Sequence, residues 1–174
     1  MKKTLYLKFL LAYVIFGIFG FIIISVFVPK LTVEQLTREK ANTLYSEATL
    51  IADRYGSGLY TSDTSLESVK NQLDALSVYL DSDIWIINPS GRMVLTTEYP
   101  LNVDEVVIIE NFDPTLTANS YYNVSNFFNY YDEAMLNVIA PITTNYKVNG
   151  YVVIHASMAS VYESSNSLLT ISYI

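Results

Sequence analysis

Apolar and polar positions along this chain follow three patterns in turn. From Phe9 to Pro29 there are twenty-one residues without a charge, preceded by Lys2, Lys3 and Lys8 and closed by Lys30. About 20 helical residues at 1.5 Å of rise each match a hydrocarbon layer of roughly 30 Å, so the run predicts a transmembrane helix over residues 9–29. A secretory signal peptide also begins with lysines, but its apolar region spans only about 7–15 residues and ends at small residues. Here the run ends Val26-Phe27-Val28-Pro29-Lys30, which favours an uncleaved anchor. Three of the four flanking lysines stand at the amino end, so residues 1–8 are expected in the cytoplasm and those after Lys30 outside it.

The second pattern is helical. Val33, Thr37, Ala41, Leu44, Ala48, Ile51 and Tyr55 recur every three or four residues, and no proline separates them from the membrane helix after Pro29. A long helix leaving the bilayer is predicted. Its stripe has two readings, a dimer seam that carries movement into the membrane or a face packed on the chain's own sheet. Gly56-Ser57-Gly58 ends it, and Thr64 with Glu67 has the spacing of a capping box before an amphipathic helix over residues 65–80. Leu66, Val69, Leu73, Leu76 and Leu80 line one side of that helix.

The third pattern is strand-like. Asp83-Ile84-Trp85-Ile86-Ile87 is β-branched and aromatic, Asn88-Pro89-Ser90-Gly91 suits a type I turn, and Arg92 to Thr97 returns, which makes a hairpin. Residues 98–120 are read as a loop with a short helix. Tyr121 to Tyr131 holds six aromatics and is read as an aromatic strand; Met135–Ile142 and Tyr151–Ala156 are two further strands, with Asn149-Gly150 as the turn before the last. The fold class expected is α+β, a transmembrane helix continuing into a long helix and a roughly five-stranded antiparallel sheet. A short exit helix from Met158 follows. Leu168 to Ile174 is apolar to its last residue and reads as the start of a second membrane helix.

Charge divides the chain in the same place. All seventeen acidic residues follow Lys30, with only six basic ones, so that part carries −11 while the first thirty residues carry +4. An acidic exterior domain repels nucleic acid, which excludes that class of partner. The chain has no cysteine, which removes disulfides and thiolate metal sites.

Catalytic patterns are equally scarce. His155 is the single histidine, and neither a glycine-rich phosphate loop, a His-Glu-x-x-His motif nor a Gly-x-Ser-x-Gly elbow occurs. No catalytic residue, cofactor or metal site is expected, and the paired acids such as Asp81 with Asp83 read as a solvated face. Candidate ligand contacts are Arg92, Tyr122, Tyr131 and His155. His155 shares a strand face with Tyr151 and Val153 and is either a proton sensor for about pH 5–8, a ligand contact or a structural histidine. Arg92 is the one basic residue between Lys70 and Lys147, suited to a carboxylate ligand or to a salt bridge. The aromatics Tyr121, Tyr122, Phe127, Phe128, Tyr130 and Tyr131 suit a pocket wall or plain core.

The order of these elements, with Asp83-Ile84-Trp85-Ile86-Ile87-Asn88, Gly91-Arg92, Ala140-Pro141-Ile142 and Gly150-Tyr151-Val152-Val153-Ile154-His155, resembles the extracytoplasmic sensor of bacterial membrane histidine kinases, particularly those of Gram-positive bacteria. The resemblance implies a PAS-like or single-Cache domain over residues 30–157, with residues 158–174 leading into a second membrane helix. It also implies a homodimer in the cell membrane, an unidentified small ligand or envelope signal, and a two-component pathway. The phosphoacceptor and ATP-binding boxes of such kinases are not in this sequence, so the response regulator would be reached only through a separate kinase part. The alternative of another class is a membrane-anchored, pilin-like structural or adhesive protein. Against it, the first acidic residue is Glu34, whereas a pilin carries a glutamate near the start of its apolar helix.

Overall fold

A computed structural model describes residues 2–56, 58–59, 65–100, 106–117 and 121–172. Helix α1, Lys2–Ile51, continues through Pro29 and passes into a π-turn, Ala52–Gly56. Its first part is long and apolar enough to cross a membrane, and its large side chains are exposed, Phe16 at 76%. The chain divides into two units, Thr37–Ser160 and the helical segments that flank it in sequence. Within the first, Thr37, Ala41, Leu44, Ala48 and Ile51 are all buried. The stripe therefore packs inside its own domain, which closes it as a seam between chains at these positions.

Helix α2, Leu66–Leu80, buries Val69, Leu73 and Leu80. Its cap is Ser65, whose hydroxyl accepts the Ser68 amide at 3.2 Å, one residue after the expected Thr64, which lies outside the described residues. Asp81 ends the helix in the left-handed conformation, and the Lys40 ammonium donates to the Leu80 carbonyl at 3.2 Å, tying α1 to this end.

Five strands follow: β1, Asp83–Ile87; β2, Met93–Thr96; β3, Tyr122–Ser125; β4, Met135–Thr144; and β5, Lys147–Ser157. They form one antiparallel sheet in the order β2-β1-β5-β4-β3, and helix α3, Met158–Ser172, begins where β5 ends. The β1–β2 turn is built as its residues dictate. The Asn88 side-chain oxygen accepts the Ser90 and Arg92 amides at 3.0 and 2.9 Å, and Gly91 takes a φ of 82°.

The described residues of 98–120 form the expected loop with a short helix, a 3-10 turn at Pro114–Thr117; ahead of it Met93 donates to the Val107 carbonyl and Ile109 to the Gly91 carbonyl, extending the β2 edge. Two expectations are corrected. The aromatic strand stops at Ser125, because Phe127, Phe128 and Asn129 have φ of 44°, 55° and 63° and curl left-handed. The last hairpin turns at Asn145-Tyr146, both at positive φ, while Asn149-Gly150 lies inside β5, with Gly150 opposite Ile142.

Register assigns the two faces of the sheet. Ile84, Ile86, Leu136, Val138, Ala140, Ile142, Val152 and Ile154 point to one side, where Gly56 of the π-turn approaches Ile142 so closely that a Cβ there would come within 2.8 Å of it. Asp83, Trp85, Ile87, Asn137, Ile139, Val153 and His155 point to the other.

Candidate functional site

On this second face one row of the sheet is polar across four strands. Asp83 lies opposite His155, His155 opposite Asn137, and Asn137 opposite Asn123. The neighbouring residues are apolar: Trp85, Val153, Ile139 and Phe127 belong to one buried cluster. A polar row inside such a cluster needs internal partners, since a buried polar group without one costs roughly 1–3 kcal/mol.

Asn137 supplies them and fixes a proton. Its amide nitrogen donates to Asn123 Oδ1, to the Ser125 carbonyl and to the Met135 carbonyl at 3.0–3.1 Å. Its Oδ1 therefore faces His155 Nδ1, 2.7 Å away, and must accept from it. The proton of neutral His155 then sits on Nδ1, and Nε2 is a lone pair. His155 is fully buried, and burial pushes its pKa down to about 3. Burial thus disfavours the charged imidazolium, and the neutral ring presents Nε2 as an acceptor.

Around it stand Trp85, Phe127 and Tyr131, with ring centres 4.3, 4.4 and 5.1 Å from the imidazole. Trp85 also meets Tyr130 edge-on at 4.6 Å and lies nearly parallel to Tyr131 at 5.8 Å. Three rings in mutual contact each carry a buried polar atom with no hydrogen-bond partner among the described residues: Trp85 Nε1, Tyr131 Oη and His155 Nε2. One is a donor, one an acceptor, and the hydroxyl is both. Such a concentration of unpaired polar atoms is uncommon in a protein core and points to a function.

The turn that brings Phe127, Tyr130 and Tyr131 over the sheet is strained. Tyr131 donates to the Asn126 carbonyl and Tyr130 to the Phe127 carbonyl, both at 3.1 Å, closing a left-handed turn of non-glycine residues. Each such residue costs about 1–2 kcal/mol, and strain of this kind collects at ligand clamps and switch segments.

Acids form the rim. The Glu98 carboxylate accepts the Tyr99 and Tyr130 hydroxyls, one on each oxygen, at 2.9 and 3.2 Å. Burial raises the Asp83 pKa, and the neighbouring Glu98 and Asp81 charges raise it further. Tyr131 is raised by burial and then by Asp83 and Glu98. The field at the rings is therefore negative.

Of the four residues expected to contact ligand, the structure brings Tyr131 and His155 together. Arg92 is exposed on the β1–β2 turn, and Tyr122 lies opposite Val138 on the other face of the sheet. Trp85, Asn137, Asp83 and Glu98 were not anticipated. Asn137 had a visible signal, a lone amide in the apolar run Met135–Ile142; Asp83 and Glu98 had none beyond an acidic composition. Among the described residues no group of three or more acids and histidines is placed to hold a metal ion.

No family model matches the chain, and no curated protein matches it. Solved structures do. The sensor domain of the V. cholerae histidine kinase DctB aligns at 14% identity with a TM-score of 0.52, covering 78% of this chain and 57% of that one. The extracellular domain of the putative histidine kinase vpHK1S-Z8 aligns at 13% identity and TM-score 0.47, covering 76% and 58%. The ligand-binding domain of the Campylobacter jejuni chemoreceptor Tlp3, in complex with L-valine, aligns at 11% and 0.47, covering 78% and 63%. The first likeness shows the fold alone: this chain shares the α+β architecture of that sensor domain, with a five-stranded antiparallel sheet and a long amino-terminal helix. The chain spans a little over half of that domain's length.

Proposed function

We propose that this chain is the signal-input module of a membrane receptor, most simply a two-component sensor histidine kinase. Residues 9–29 cross the cell membrane with the amino terminus in the cytoplasm, residues 30–157 form an extracytoplasmic sensor, and residues 158–174 lead back toward the bilayer. A small molecule binds at Trp85, Tyr131 and His155 and acts on the strained Phe127–Asn129 turn. The observation that carries this reading is the set of three unpaired polar atoms on a sheet of sensor-domain architecture. His155 lies on β5, and β5 passes into α3 without a loop, so displacement at the ring has a covalent route to the helix. The homodimer usual for such receptors makes its contacts outside the buried Ala41–Ile51 stripe. The response regulator would be reached only through a cytoplasmic kinase part, whose phosphoacceptor and ATP-binding boxes do not occur in this sequence.

A receptor chimera tests the reading. With the full chain joined in frame to the cytoplasmic relay and kinase of a characterised receptor, Tyr131→Phe and His155→Leu are expected to change kinase output in cells at equal chimera abundance. Output equal to the parent's for both variants overturns it.

A further inference from the structure

We infer that Glu98 is a pH-sensitive latch on this face of the sheet: its carboxylate holds the left-handed turn over residues 126–131 down on the sheet, and a proton on Asp83 opposite tightens that hold. The latch needs no ligand and stands apart from the small-molecule reading above.

The clasp joins two segments distant in sequence. After β2 the chain is tied back to β1: Thr97 donates its amide to the Ile84 carbonyl at 3.0 Å, and its hydroxyl accepts the Ile84 amide at 2.9 Å. Glu98 follows at once, with its amide on the Thr96 hydroxyl. One Glu98 oxygen accepts the Tyr99 hydroxyl and the other the Tyr130 hydroxyl, and the two hydroxyls lie 3.1 Å apart. Tyr130 is the ring that meets Trp85 edge-on, so Glu98 grips the turn where it covers the buried rings.

The turn is a segment that needs holding. Phe127, Phe128 and Asn129 are left-handed without being glycine, and the backbone closes the turn through the Tyr130 and Tyr131 amides. Strained turns with few bonds of their own belong to the low-stability end of a fold, where local opening is easiest.

Asp83 sets the strength of the grip. The β1–β2 register pairs Trp85 with Thr96, and the bonds above pair Ile84 with Thr97, so the next pair is Asp83 with Glu98. Two half-buried carboxylates thus face each other on the Trp85 side of the sheet. Like charges directly opposite are destabilising, and one member of such a pair keeps its proton to higher pH. Two phenolic donors favour the charged form of Glu98, which leaves the proton to Asp83, where burial and then the Glu98 charge favour it as well. The groups around the pair do not neutralise it. Asp81 adds a third carboxylate, Tyr99, Tyr130 and Tyr131 bring hydroxyls, Asp132 and Glu133 after the turn are exposed acids, His155 is kept neutral by burial, and Lys40 of α1 is engaged with the Leu80 carbonyl. With both carboxylates charged, Glu98 is pushed away from the sheet and the turn opens more often; with Asp83 protonated, the grip closes.

The test reads the turn from beneath it. Trp85 is the single tryptophan of the chain, so acrylamide quenching of its emission in the full detergent-solubilised protein measures how often the turn opens. In the parent the quenching constant is expected to fall about threefold from pH 8 to pH 5. A loss of global stability through His155 in acid would raise it instead, so the sign identifies the latch. Asp83→Asn is expected to give the low, acid-like value at both pH values. Glu98→Gln, which removes the facing charge, is expected to abolish the pH dependence, and Tyr130→Phe, which loses the hydroxyl but keeps the ring, to raise quenching at both. Parent quenching that is flat or rises in acid, an Asp83→Asn or Glu98→Gln profile that follows the parent's, or parent-like quenching in Tyr130→Phe overturns the latch. The arms rest on three different residues, so misfolding of one variant leaves the other two to decide.

Discussion

His155 gives the sharpest quantitative test of how the sheet is built. Its pKa is near 6.5 in an unfolded chain and is pushed down to about 3 in the fold by burial. Between these values the unfolded chain binds a proton that the folded chain does not, so stability falls as pH drops below about 6.5 and levels off above it. At about 1.36 kcal/mol per pH unit, and allowing for the partial titration near pH 6.5, lowering pH from 7 to 5 costs about 2 kcal/mol. Asp83 works with the opposite sign, since its raised carboxyl loses stability as pH rises, so the histidine has to be isolated by difference. The assay is urea unfolding of the full detergent-solubilised chain, read by Trp85 emission, for the parent and His155→Leu at both pH values. The parent is expected to lose about 2 kcal/mol more than the variant between pH 7 and pH 5. Equal losses would mean that His155 titrates normally, and the argument from Asn137 to a fixed neutral tautomer would fail with it.

Gly91 should not tolerate a side chain. Its φ is 82°, and a Cβ there would lie 2.7 Å from the Ile109 carbonyl oxygen, so Gly91→Ala is expected to lower unfolding free energy by about 1–2 kcal/mol or more in the same urea assay. Leu44→Ala should cost about 3 kcal/mol because Leu44 is 1% exposed, whereas Leu50→Ala, 45% exposed one helical face away, should stay within about 0.5 kcal/mol. Single cysteines at Leu44, Ala48 and Ile51 should then give no preferential cross-link between chains in the membrane; strong cross-linking there would reopen the dimer seam. Because the chain has no cysteine, Tyr146→Cys at the fully exposed β4–β5 turn should react with a membrane-impermeant maleimide in intact cells. Labelling only after lysis would place the sheet on the cytoplasmic side.

What could be read from the sequence is what is encoded locally. Asn88-Pro89-Ser90-Gly91 specifies its turn through one side-chain oxygen and one positive φ, and the hairpin was legible from those four residues. The stripe from Thr37 to Ile51 fixed a helix but not what covers it, since small and apolar residues suit a neighbouring sheet and a second chain equally. Phe127–Tyr131 was misread because aromatics favour strands, while three successive left-handed residues leave no trace in composition. Asn149-Gly150 was the stronger turn signal, yet the long β4–β5 register placed the reversal at Asn145-Tyr146 instead. The site itself was half legible. Tyr131 and His155 stood out by residue type, but Trp85 read as strand core, Asp83 as one of many solvated acids, and Asn137 acts only through the strand pairing that puts it beside His155.

The central claim is that the Trp85, Tyr131 and His155 cluster receives a small molecule. The most direct test is capture. The full chain in detergent is incubated with a defined mixture of amines, carboxylates, amino acids and sugars, washed and denatured, and the released compounds are identified by mass spectrometry. The account predicts at least one compound retained by the parent and lost from both Tyr131→Phe and His155→Leu. No retained compound, or equal retention by parent and variants, would contradict it.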